Sequence, residues 1–249
     1  MGKFFMDLEF TDGNFYMADI IEIAVIAEES GNCFHMYVRI HYSIPKRVQE
    51  LTRINDGILN NLGCLFTDVM ISMIDFIQSE QSVSDTNPII VAHGGYYNDF
   101  PILFANCMKH GFRDYGILKD CLYVDSADLF KDAGYKRPGL DNLCREFKMK
   151  REFHSALEDA LILKRIVCDK RLELYDNLYT YTFNDIETCL NMKLPIPIEM
   201  IYNVARKCLS YRELASILFQ SVKKKTALNK KQYLKVAYYY FIDRYIFCK

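Results

Sequence analysis

Residues 88–92, PIIVA, form an almost purely apolar run that stops at His93-Gly94-Gly95. A strand of that composition is buried on both faces, like the inner strands of sheets covered by helices. The rest of the chain must therefore supply helices for two sides of a sheet. Residues 3–10, KFFMDLEF, alternate with the two-residue period of a strand, which puts Phe5, Asp7 and Glu9 on one face and Phe4, Met6, Leu8 and Phe10 on the other. Strand patterns at 20–26 and 34–40 follow, joined by a polar EESGN segment suited to a hairpin-like connection, and a short one lies at 121–124. Helical patterns cover 66–77, 100–110, 139–147 and 156–169, the second ending at Gly111. The order βββαβαβαα predicts an α/β fold of three layers around a mixed central sheet. Beyond about residue 172 the pattern is helical only, with segments at 173–180, 185–192, 198–208, 211–222 and 230–246. Two domains are expected, 1–172 and an all-helical extension at 173–249.

With 249 residues and 51% hydrophobic content, the chain can bury a large core, and no low-complexity tract or repeat interrupts it. The net charge of −1 argues against a protein held on nucleic acid by bulk electrostatic attraction. Local basic surface is still available: Lys131, Lys136, Arg137, Arg145, Lys148, Lys150 and Arg151 cluster in sequence, as do Lys223, Lys224, Lys225, Lys230 and Lys231. The first group reads equally as a solvated face, and the second, which could touch a nucleic-acid backbone or serve as a nuclear import signal, reads more simply as a solvated turn. Nine cysteines, an odd count with no CxxC pair, suggest buried reduced thiols. Without a leader pattern or a stretch long enough to span a bilayer, the expected place is inside the cell, cytoplasmic or nuclear, with no membrane anchor. The oligomeric state is left open, a homodimer included.

Four carboxylates and one histidine carry the chemistry: Asp7 and Glu9 in KFFMDLEFT, Asp99 in VAHGGYYNDFPIL, and His154 and Asp159 in HSALEDA. Asp7 and Glu9 share one strand face among apolar neighbours, and their repulsion calls for something positive between them, a hard oxygen-seeking cation such as Mg²⁺ or Mn²⁺. Asp99, just before Phe100-Pro101, reads as a helix N-cap, yet it also lies just past a buried strand, where open α/β sheets place ligands. Ser155-x-x-Glu158 is a capping box that makes His154 the N′ and Asp159 the N4 residue, a pair whose side chains meet. Such a set suits two cations beside a phosphodiester and a base that deprotonates the attacking water, which makes a metal-dependent nuclease the leading reading. His93, beside two glycines, reads as structural.

These motifs resemble the DnaQ-like, or DEDDh, 3′→5′ exonucleases, and among them the three prime repair exonucleases. The resemblance covers residues 1 to about 172, with MDLEFT, VAHGGYYNDFPIL and HSALEDA similar to the three family motifs in order. It implies an RNase H-like fold, two Mg²⁺ or Mn²⁺ ions held by Asp7, Glu9, Asp99 and Asp159, and His154 as the general base. It further implies that backbone groups around Phe10 and Thr11 bind the terminal 3′ hydroxyl. Tyr96 and Tyr97 offer rings for base stacking. The chain departs from the family pattern at Gly94, Asn98 and Arg53, none of them a metal ligand. The expected activity is removal of nucleoside 5′-monophosphates from DNA 3′ ends, single-stranded or frayed. The alternatives are an exoribonuclease of the same fold and a nucleic-acid or protein binding module that has lost catalysis.

Overall fold

A computed structural model describes residues 2–13, 17–81, 87–96, 98–136, 138–151, 154–170 and 180–191. The helical segments expected at 198–208, 211–222 and 230–246, and the lysine cluster at 223–231, lie outside the described residues. Among the described residues, six strands form one mixed sheet in the order β3-β2-β1-β4-β5-β6. β1 (Lys3–Phe10), β2 (Ile20–Ala27) and β3 (Cys33–Tyr37) are an antiparallel meander. β4 (Ile89–Ala92) and β5 (Leu122–Asp125) continue it in parallel with β1, and β6 (Thr180–Thr182) closes it antiparallel to β5. This is the mixed-sheet, helix-covered architecture that the strand and helix patterns called for, and the RNase H-like fold that the resemblance implied.

The two faces of β1 pack as the alternation requires. Phe5 joins Ala24, Ile26, Val91 and Val124 in a core closed by α6 (Leu140–Glu146) and α7 (Ala156–Lys170), through Leu143, Ala160 and Leu163. On the opposite face, Phe4 meets Phe76 of α3 (Phe66–Glu80) edge to face at 6.5 Å. Phe100 and Phe104 of α4 (Asp99–Lys109) meet Tyr123 edge to face at 5.1 and 5.7 Å. Burying each such ring contributes roughly 1.5–3 kcal/mol. Asn106 fixes α4 to the start of β2, donating to the Ala18 carbonyl at 3.0 Å and accepting from the Ile20 N–H at 3.3 Å.

Three short helices escaped the sequence pattern: α1 (Lys46–Thr52), α2 (Asp56–Leu62) and α5 (Ser126–Asp132). Seven residues give few turns for a periodic signal, and of the four described helices this short only α6 showed one. α1 ends on Arg53 at φ 64°, the left-handed conformation that favours glycine, so the departure noted at this position keeps a backbone shape at a cost of about 1 kcal/mol. β6 lies beyond the expected boundary at residue 172, and the first compact unit runs to Ile186, where 187–249 begins the second. Thr180, read as the end of a helix, is in that strand, because a three-residue TYT segment shows no alternation of its own. α8 (Phe183–Asn191) overlaps the segment expected at 185–192. Among the described cysteines, Cys107, Cys121 and Cys144 are buried free thiols as expected, whereas Cys33 is exposed. No helix among the described residues is long and apolar enough to cross a membrane.

Candidate active site

Asp7 and Glu9 leave β1 on the face that α7 covers, near the strand's carboxyl end. The β1–β2 register shifts between Glu9 and Phe10, a bulge that re-aims the chain just where the acidic pair ends. β4 ends beside them, and its continuation brings in Asp99. The turn His93-Gly94-Gly95 has Gly94 at φ +69°, and a Cβ on Gly95 would stand 2.5 Å from that of Ala92 and 2.9 Å from the Phe100 ring. Only glycines let the chain reverse this tightly from strand to helix. Asp125, at the end of β5 and fully buried, holds the turn, accepting from the N–H groups of Gly94 at 2.8 Å and Tyr96 at 3.1 Å while capping α5 through Ala127 at 2.9 Å. Asn98 donates to the Gly94 carbonyl at 3.1 Å, so this family departure also serves the turn. His93, partly buried and bonded to the Ser126 hydroxyl at 2.9 Å, is kept neutral by desolvation, its pKa pushed down to about 4.

Asp99 is not the N-cap that its place before Phe100-Pro101 suggested. Asn98 takes the cap position, and the Asp99 carboxylate instead accepts the Leu8 N–H at 3.1 Å, tying the second motif to the first strand. The third motif is anchored from two sides. The His154 N–H bonds the Leu51 carbonyl of α1 at 3.2 Å, and the N–H of Ala156, first residue of α7, bonds Glu22 Oε2 at 2.9 Å. Glu22 lies directly across β2 from Glu9, is 1% exposed, and also bonds His35 Nε2 at 2.7 Å. Sequence reasoning passed it over as one acid in an apolar strand. Glu22→Ala leaves the Ala156 N–H buried without its acceptor, a loss of about 1–3 kcal/mol. The thermal midpoint is expected to fall by about 2–4 °C per kcal/mol, with Glu22→Gln, which keeps an acceptor, falling less. Equal midpoints for wild type and Glu22→Ala would show that the helix start does not depend on this carboxylate.

All five expected residues line one cleft of about 640 Å³, with Leu8, Phe10, Asn98, Asn142, Arg145 and Arg151 among its other walls. Ligand atoms of Glu9, His154 and Asp159 lie within 4.8 Å of one another. Removal from bulk water raises the carboxyls, and mutual repulsion adds to it. Glu9 is pushed up to about 8 by burial and then by Asp159, and Asp99 to about 7 chiefly by burial. Asp7 is held well above the usual carboxylate range by burial, then by Asp99, Asp159 and Glu9. Asp159 is raised by burial against the opposing pull of Arg151. Buried oxygen donors repelling one another fit a hard divalent cation, and an imidazole beside them fits a proton acceptor.

Arg151, read from sequence as one of a basic cluster, is the residue most clearly missed. Its side chain is 8% exposed and forks onto Asp159, with Nε 2.6 Å from Oδ1 and Nη2 bonded to Oδ2. No spacing rule separates such an arginine from its solvated neighbours. Two expected substrate contacts are corrected. Tyr96 is 4% exposed and stacks on Tyr181 at 3.8 Å between centroids, so its ring belongs to the interior and not to the cleft. Thr11 is also buried, its N–H bonded to the Asp19 carbonyl and its hydroxyl taken by the Asp19 N–H and by Tyr42, so neither group faces the cleft. Phe10 does line it. Tyr97 lies outside the described residues.

The sheet order, its helix layers and the acidic cleft define a nuclease of the DnaQ-like exonuclease class. Residues 4–167 match the RNase_T family model, described as Exonuclease, and the chain belongs to that family. The nuclease domain of 3′hExo, a DEDDh family member solved with rAMP, superposes with TM-score 0.60 at 17% identity over 71% of this chain and 96% of that one. Two Exonuclease I structures from E. coli are also similar. A zinc-bound complex with single-stranded DNA has TM-score 0.56 at 15% identity, and a complex with a dA16 oligonucleotide 0.56 at 16%. Both cover 71% of this chain, which spans about two fifths, 42%, of theirs. No curated protein matches by sequence.

Proposed function

We propose that this chain is a metal-dependent 3′→5′ exonuclease that releases nucleoside 5′-monophosphates from DNA. The observation that carries this reading is the meeting of Asp7, Glu9, Asp99, His154 and Asp159, drawn from three distant segments, in one cleft of an exonuclease-family chain. Asp7, Glu9, Asp99 and Asp159 would hold two Mg²⁺ or Mn²⁺ ions. When bound, such ions polarise the phosphate and make water a nucleophile near neutral pH. His154 takes the proton of the attacking water, the bond between phosphorus and the preceding 3′ oxygen breaks, and that oxygen is protonated from solvent. A cleft of about 640 Å³ is of the size that encloses a nucleotide, and Phe10 in its wall offers an apolar surface to the terminal residue.

A second reading, an exoribonuclease, is favoured by one observation: the 3′hExo domain, which this chain covers almost in full, was solved with a ribonucleotide. Sugar discrimination rests on contacts to the 2′ hydroxyl, and the acidic cluster is indifferent to it. Incubating the full chain with 5′-labelled single-stranded DNA or RNA, with Mg²⁺ or with chelator, decides between them. Stepwise shortening of DNA, abolished by chelator, is expected. Shortening of RNA alone selects the second reading, and intact substrates of both kinds reject catalysis.

A further inference from the structure

The cleft already contains a positive group on the atoms that a cation would use. Both carboxylate oxygens of Asp159 accept from the Arg151 fork, and Arg151 Nη2 is 2.9 Å from His154 Nδ1. Guanidinium nitrogens only donate, so the Nδ1 lone pair must accept. One side chain therefore occupies two of the three residues whose ligand atoms cluster within 4.8 Å. Its remaining nitrogen, Nη1, bonds Asp141, which is 67% exposed at the cleft rim. The guanidinium thus spans an interior carboxylate and an outer one.

We propose that Arg151 is a displaceable positioning residue: it holds Asp159 and His154 together as an internal counter-ion, and a divalent cation must push it off Asp159 to load. This rests on the reading of the cleft as a cation site. Like charges repel strongly where water is excluded, so the fork and a doubly charged ion do not share the Asp159 oxygens at full strength. Displacement also uncovers the histidine lone pair, which couples cation loading to the availability of the base. Asp141 gives the departing guanidinium a partner at the rim.

The test uses the full chain and Mn²⁺ or Mg²⁺ alone. In calorimetric titrations with Mn²⁺, Arg151→Met is expected to bind about tenfold more tightly or better, ~1.4 kcal/mol. Arg151→Lys, which keeps the charge without the fork, should fall between that variant and wild type. In ¹⁵N-labelled wild type the Arg151 Nε–H resonance, assigned by its loss in the lysine variant, should shift and lose protection from solvent exchange as Mg²⁺ is added. An Nε–H signal unmoved at saturating Mg²⁺ overturns the inference. So does a lysine variant that binds as wild type does, since nearby charge alone would then set the affinity. If wild type binds neither ion, the cation reading fails as well; if it binds Mg²⁺ with Arg151 unmoved, only the displacement fails. Should Arg151→Met not fold, the lysine variant and the wild-type titration decide the question.

Discussion

Asp7→Asn is expected to abolish turnover and to make the cation-free protein more stable. The two effects share a cause. Asp7 lines a cleft where desolvation, and then repulsion from Asp99, Asp159 and Glu9, hold its carboxyl well above the ordinary range. A raised folded pKa means that the folded state binds more protons than the unfolded one, so stability falls as pH rises through that range. Asparagine has the same shape and no charge, and it removes this loss. The gain in melting temperature should be clear at pH 8, shrink as the pH falls, and vanish only well below the ordinary aspartate value of about 3.9, where the carboxyl is protonated in both states. Each kcal/mol is worth about 2–4 °C in a domain of this size. Turnover needs the opposite property, an ionised ligand, and its loss should reach about three orders of magnitude, several kcal/mol of transition-state stabilisation. Thermal scans with EDTA beside single-turnover cleavage assays measure both. A variant that cleaves near the wild-type rate removes Asp7 from the cation site; one that melts lower without cations shows that its neighbours had already relieved the repulsion.

His154→Ala should slow cleavage by about 10²–10⁴ while changing cation affinity much less. The imidazole is half-buried, and its pKa is lowered, first by that burial and then by the Arg151 charge. A proton acceptor works in its neutral form, so the wild-type rate should climb with pH below about 6.5, the ordinary histidine value, and level off above it. The alanine variant should lose that limb. Measurements need saturating cation at every pH, because Glu9 and Asp99, raised to about 8 and 7, must release protons before they ligate. Cation affinity therefore tightens between about pH 6 and 8, a dependence easily mistaken for that of the base. A variant with the wild-type rate and an unchanged pH profile would exclude His154 from proton transfer.

The parts of the molecule that were legible in the sequence are those fixed by local pattern. The alternation in residues 3–10 set which face Asp7 and Glu9 share, and the apolar run before His93 identified an inner strand. Helix starts at Phe66 and Ala156 came from periodicity and capping chemistry. What was hidden depends on pairings between distant segments. Asp99 offered a sound local reading as a cap, but the Leu8 N–H, 91 residues away, takes its carboxylate. Glu22 and Arg151 look ordinary in their own neighbourhoods and acquire roles only when α7 crosses the strands. The Tyr96 ring failed as a base platform for the same reason, since Tyr181, 85 positions later, buries it.

The bond from Glu22 to the Ala156 amide joins residues 134 apart, and Leu8 to Asp99 joins residues 91 apart. Contacts of that span cannot form until the intervening chain exists, which makes folding of this domain slow compared with helical bundles of the same length. A growing polypeptide presents Asp7 and Glu9 well before Asp159 and His154 exist to complete the cleft. The proposed cation site therefore stays incomplete until α7 has emerged and docked.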